Sequence, residues 1–407
     1  MAQAEPPPQA AAEGQDRRGG LGPLLGPLLA LTGVFFLNFI SRVAIPPLLP
    51  SLENSLGLSH AQAGSLFIFL SAGYFSSILG SGFISCRLGH RRTIILSGCA
   101  VGAAMLVLGL ANGLWGLGLG LLLLGLASGP YLPSAMATIT HLAPMRHWGK
   151  ALAVHELAPN LGFVLAPLLA AGLLEVISWS GVAFLLGAAS LAWGLGFARW
   201  GQGGDFPGQA PDFSSLRLLA GLPAFWAMIF LFSLGLGGTL GIYSMLPLYL
   251  TSERGMDLEH ANLLVALSRV ICVGMAFLSG WATDHLGPRQ ALAAVFSLNG
   301  LLTIALGASQ GGWLVFFLFV QPMVAVCFFP AGFAALSRIG PASVRPVAIS
   351  MTVPPAYLLG GGALPAGIAY LGEAWSFGWG IALTGGFMLL APLLLIPLRL
   401  NPDPAHN

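Results

Sequence analysis

Long apolar stretches, each closed by a short cluster of Gly, Pro or charged residues, run through the chain at 23–51, 61–84, 93–110, 115–141, 150–174 and 178–198. Six more follow at 219–248, 260–282, 290–308, 312–335, 346–370 and 377–398. At about 1.5 Å per residue each can cross a hydrocarbon layer about 30 Å thick, with 93–110 near the short limit. In hydrocarbon the backbone must satisfy its own polar groups, and the long alternating strands of a barrel are absent. The pattern therefore predicts an all-α integral membrane protein with twelve transmembrane helices.

Composition strengthens this reading. Apolar residues make up 56% of the 407 positions and charged residues only 7%, against about a quarter charged in a soluble domain. That balance excludes both a soluble enzyme and a disordered chain. Residues 1–20 read as a flexible tail without the order of a signal peptide. A polar linker at 199–217 separates two apolar halves, 21–198 and 218–399, and 400–407 form a second tail. With the N-terminus inside, thirteen basic residues fall on the inner face and only Arg254 on the outer, while Arg42 and Arg269 lie within spans. This split predicts cytoplasmic termini in a plasma membrane, the inner membrane in a Gram-negative cell. The four cysteines form no disulfide framework. No phosphate cradle, CxxC pair or HExxH occurs, so no cofactor, metal or hydrolytic motor is expected. Nothing points to nucleic acid, and a monomer in the lipid bilayer is expected.

The halves repeat at an offset of 198 residues: 81–92 read SGFISCRLGHRR and 279–290 read SGWATDHLGPRQ, while Gly57 matches Gly255, Ala63 matches Ala261 and Pro167 matches Pro365. Two six-helix bundles around one pathway follow, related about the membrane normal. The paired segments resemble the signature loop between the second and third helices of each half in the major facilitator superfamily. The second half supplies Gly280, Asp284, His285, Gly287 and Arg289. The first supplies Gly82, Arg87, Gly89, Arg91 and Arg92, with Cys86 where the family carries Asp. The resemblance implies a secondary transporter in which Asp284 and the basic groups latch the cytoplasmic face while the protein faces outward. Glycine allows the close crossing, and a carboxylate beside basic groups supplies the latch. In the first half Cys86 requires that latch to be weaker or rebuilt.

Arg42 and Arg269 carry the candidate chemistry. A lipid-facing guanidinium would cost several kcal/mol, roughly, so both are expected to face the pathway. One comes from each bundle, and a guanidinium fork suits a carboxylate, phosphate or sulfonate. Asn38 stands one turn before Arg42, and Pro46, Pro47 and Pro50 interrupt the helix beyond it. This first-helix face resembles the organic-anion branch related to sialin, whose arginine contacts the anion, although Ser41 replaces the acid found before it there. Arg269 lies in the eighth span, and eighth-helix arginines are also seen in the monocarboxylate, oxalate and nitrate carriers that the chain resembles. Tyr131 and Tyr243 are expected to line the pathway, ahead of Tyr74 and Tyr357. Glu156 and His155 are candidate proton carriers, since desolvation raises a carboxylic acid's affinity for a proton and histidine titrates near neutrality.

Together these features predict alternating-access transport of a small organic anion, a mono- or dicarboxylate, with protons as coupling ion. A drug or amphiphile exporter, a nitrate or phosphate carrier, and a non-transporting receptor or scaffold are the alternatives.

Overall fold

The structure, a computed structural model, describes residues 22–209, 213–340, 345–396 and 398, and the two tails expected from the sequence lie outside them. Six apolar helices form the first bundle: α1 (Gly22–Leu56), α2 (His60–Leu88), α3 (His90–Gly109), α4 (Gly113–Leu142), α5 (Met145–Leu173) and α6 (Trp179–Trp200). The second holds α7 (Pro223–Glu253), α9 (Pro288–Ala308), α10 (Gly311–Leu336), α11 (Val347–Ala374) and α12 (Phe377–Leu395). Its remaining span, α8, is in two pieces, Leu258–Val270 and Cys272–Leu286, parted by a turn at Ile271. Neither piece can cross alone, but together they complete the twelve-helix architecture.

The proline cluster breaks α1 less than the sequence suggests. The chain turns at Ala44 and continues as helix over Ile45–Leu56, with Pro46 and Pro47 in its first turn, where proline fits the helical backbone. The 198-residue register recurs in the packing. Gly102 meets Gly187 between α3 and α6, and Gly300 meets Gly385 between α9 and α12. An added Cβ would stand 2.6 to 3.0 Å from the facing carbonyl oxygen in every case. Small residues let these backbones touch where no hydrophobic force drives helices together. Gly89 and Gly287 both take φ +80° at the signature loops, a backbone open to glycine.

We call the face bearing the Gly57 and Gly255 turns outer and the linker face inner. The bundles meet through their outer halves: α7 packs on α1, the first piece of α8 on α5, and the last part of α11 on α2. Glu373 of α11 accepts from the Ala61 N–H at the start of α2 (2.7 Å), and Asn262 of α8 donates to the Pro47 carbonyl (3.3 Å). The second piece of α8 forms no matching interface with the start of α5 among the described residues. The outer side is closed.

Candidate functional site

Arg42 occupies the last turn before the α1 break, and Arg269 the last turn before the α8 break. Helix ends concentrate the partial negative charge of free carbonyls, which favours a cation there. Each arginine is only 6% exposed, so both face protein and not lipid. Their surroundings differ sharply.

Every guanidinium nitrogen of Arg42 has a neutral acceptor. Nε donates to the Asn38 carbonyl and Nη2 to Asn38 Oδ1, both at 3.4 Å, and Nη1 reaches the Tyr357 hydroxyl at 3.3 Å. The cation also lies 4.7 Å from the Tyr74 ring centre and 5.3 Å from that of Phe39, an attraction strengthened by desolvation. Asn38 in turn donates to the Ser128 carbonyl (3.2 Å) and to Ser97 Oγ (3.4 Å). Its amide therefore fixes Arg42 to the first bundle. A cavity of about 20 Å³, room for roughly one water, lies among Arg42, Phe67, Leu70, Tyr243, Ser244 and Tyr357.

Arg269 sits between two rings, Tyr243 at 4.9 Å and Phe163 at 5.4 Å. Its Nε and Nη2 are buried and have no hydrogen-bond partner among the described residues. Those two nitrogens share one edge of the guanidinium, the edge that takes a carboxylate or sulfonate through two parallel bonds. No acidic side chain pairs with either arginine among the described residues. Tyr243 is fully buried, and its hydroxyl donates to the Val43 carbonyl at 3.2 Å.

The other expected residues separate into two groups. Tyr131 and His155 lie wholly inside the first bundle. The Tyr131 hydroxyl donates to the Leu31 carbonyl (2.7 Å) and lies 3.1 Å from His155 Nε2, and the Phe35 ring stacks on both. That geometry buries Tyr131 among side chains of the first bundle. Glu156 is not buried within the protein. It stands at the turn that breaks α5 and is 54% exposed, with Oε1 3.8 Å from His155 Nδ1.

At the inner loops, Asp284 is exposed and has no hydrogen bond or ion pair among the described residues, while Arg289 donates to the Ile396 carbonyl at 3.1 Å. Among the described residues an added Cβ at Gly280 would meet nothing, so the close crossing expected there is not made by them in this conformation. In the first half Arg87 and Cys86 are exposed, the Gly82 carbonyl accepts from Ser85, and Arg91 pairs with Asp205 of the linker.

Sequence reasoning ranked Tyr74 and Tyr357 below Tyr131, and it missed Phe39, Phe163 and Asp205. The tyrosine ranking followed helix number, which does not say which way a side chain points. Asp205 could have been found as an acid of the linker, which lies on the same face as the loop that lacks one.

Comparison with known proteins agrees with this architecture. The family model of the Major Facilitator Superfamily matches residues 31–352. The probable sulfoacetate transporter SauU of Cupriavidus necator is 24% identical over 296 residues, 68% of this chain and 66% of that protein. The gallate transporter of Pseudomonas putida is 25% identical over 297 residues, 64% of this chain and 65% of its own. The chain thus matches just under two thirds of the length of these two relatives. A bacterial homologue of the human lysosomal transporter Spinster, solved inward-facing and occupied, superposes with a TM-score of 0.79 at 17% identity, covering 93% of this chain and 97% of its own. With twelve spans, a repeated signature loop and a family match over most of its length, the chain belongs to the Major Facilitator Superfamily, a family of transporters and not of enzymes.

Proposed function

We propose that this protein is a secondary active transporter of small organic anions, working by alternating access of a site between its two bundles. The observation that carries this reading is Arg269, whose two-nitrogen edge is buried and unpaired between aromatic rings. A buried, unpartnered guanidinium edge is costly unless an anion completes it. Arg42 offers a second positive charge from the opposite bundle, with Asn38 and Tyr357 orienting it. Relatives named for sulfoacetate and gallate support a carboxylate or sulfonate as the group recognised.

Protons are the proposed coupling ion, with His155 and Glu156 as one carrier unit. A proton on His155 would face the Glu156 carboxylate at 3.8 Å, and an ion pair in that half-exposed setting can form and break with access from the inner side. The proposed orientation places both termini and the linker in the cytoplasm of a plasma membrane, on the distribution of basic residues. Residues 21–198 and 218–399 act as the two rocking units of a monomer, with Asp284 and Arg289 closing the inner face in the outward-facing state.

The test is a flux and binding survey in proteoliposomes with sulfoacetate, gallate, succinate, nitrate, phosphate and a cationic dye. Saturable uptake of one of the three organic anions, driven by a pH gradient, supports the whole reading. Uptake of nitrate alone would reassign the site to inorganic anions, and uptake of the dye alone would reject the anion site.

A further inference from the structure

The carbonyl of Val43 lacks the partner that a helix would give it. In α-helical register that oxygen accepts from the N–H four residues on, and residue 47 is Pro47, which has none. The register holds at the two ends of the gap, where Ala44 N–H donates to Ile40 and Leu48 N–H to Ala44. Pro46 withholds the same N–H from the Arg42 carbonyl, and the Val43 carbonyl lies in the buried core of the outer half. A donor from the other bundle fills it, the Tyr243 hydroxyl at 3.2 Å. The same tyrosine ring lies 4.9 Å from the Arg269 guanidinium and meets Phe163 of the first bundle edge-on at 5.1 Å.

We propose that Tyr243 is the positioning residue that ties the Arg269 site to closure of the outer face. Separation of α7 from α1 withdraws the hydroxyl from Val43 and parts the Arg269–Tyr243 stack from Phe163 in one movement. An open outer face thus leaves a buried carbonyl without its donor and removes one wall of the guanidinium's aromatic cage. A closed face restores both. Arg269, in turn, holds the ring so that its hydroxyl reaches the vacant carbonyl. The inference rests on the proposed function only in taking Arg269 as the holder of the anion; the gate stands without it.

The gate can be read with no ligand and no assumption about orientation. Spin labels at Asn54 and Glu259, exposed positions on the outer ends of the two bundles, would report the outer separation by pulsed electron resonance in an otherwise cysteine-free protein. Tyr243→Phe keeps the ring and removes the donor, and the long-distance population is expected to rise about five- to tenfold. Pro47→Ala returns an N–H to the helix, so Val43 no longer needs the tyrosine. In that background Tyr243→Phe should add less than half of its effect on the logarithm of the population ratio. Asn262→Leu, which removes the other bond to this break, should keep its full effect there. Tyr243→Phe should also act less than additively with Arg269→Gln. Equal increments of Tyr243→Phe with and without Pro47 would overturn the docking. Additivity with Arg269→Gln would overturn the tie to the anion site. Both cycles compare populations and not activity, so failure of the anion reading leaves them intact.

Discussion

The Arg91 guanidinium lies 3.5 Å from the carboxylate of Asp205, an acid supplied by the linker to the loop that lacks the family's own. The backbone does more than this ion pair to hold the linker there. Arg91 N–H donates to the Gly204 carbonyl (2.8 Å), His90 N–H to that of Phe206 (3.1 Å), and Gly208 N–H to that of Ser85 (3.0 Å). The Phe206 ring then bridges His90 and His141. The first-half loop is strapped to its own bundle, where Asp284 in the second half is left free to engage a partner.

Because Asp205 is 68% exposed, Asp205→Asn should cost less than about 1 kcal/mol. Gly204→Ala should cost more, roughly 1–3 kcal/mol, since φ is +80° there and a Cβ would stand 2.8 Å from the Arg91 nitrogen. Thermal unfolding of the purified variants in detergent compares the two. A larger loss in Asp205→Asn would make the ion pair, and not the backbone, the principal tie.

Asp284→Asn addresses the other loop. The side chain is exposed and unpartnered among the described residues while the outer face is closed, so the substitution should leave this conformation's stability nearly unchanged. It should slow transport by weakening the outward-facing state, while anion affinity from the accessible side shifts by about two- to fivefold, about 1 kcal/mol at most. Wild-type transport by a correctly inserted Asp284→Asn variant would remove the latch role.

Most of the architecture is legible in the sequence because membrane helices announce themselves by length and apolarity, and the repeat by its fixed offset. The break in α8 is not. Residues 260–282 carry no proline to mark the turn at Ile271. Both arginines were visible as charges within spans. Their inequality was not, because it depends on which neighbours bring acceptors: Asn38 and Tyr357 reach Arg42, and no acceptor among the described residues reaches Nε or Nη2 of Arg269. Glu156 fell within an apolar stretch, yet it stands at a turn with its side chain more than half exposed. Burial in a span does not follow from membership of one.

Proton coupling gives a third measurement. With His155 fully buried and Glu156 beside it, Glu156→Gln removes the carboxylate that would stabilise a protonated ring. Accumulation driven by a pH gradient should fall at least about tenfold, the loss of one charge-assisted contact of about 1.4 kcal/mol or more. Counterflow should persist, since exchange does not require return of the empty carrier. Measured in the same vesicles, counterflow also confirms that the variant is folded. Full gradient-driven uptake by the Glu156→Gln variant would exclude this pair as the carrier.

The sharpest prediction separates the two arginines. Arg269 presents an unsatisfied edge, whereas each nitrogen of Arg42 already has a neutral acceptor. A lysine keeps the charge but cannot make two parallel bonds. Arg269→Lys should therefore weaken anion binding by roughly 2–5 kcal/mol, the range for truncating one side of a buried charged pair. Arg42→Lys should cost less, about 1–2 kcal/mol, because the charge survives and the lost bonds are to neutral groups. If both guanidiniums hold one anion, the double variant should depart from the sum of the singles by at least about 0.5 kcal/mol. Equilibrium binding of the best anion from the flux survey to the four purified proteins measures all three quantities. Equal losses at the two positions would show that Arg42 gives up Asn38 and Tyr357 to grip the ligand directly. Near-wild-type affinity in the Arg269→Lys variant would remove Arg269 from the site, and with it the observation on which the anion reading stands.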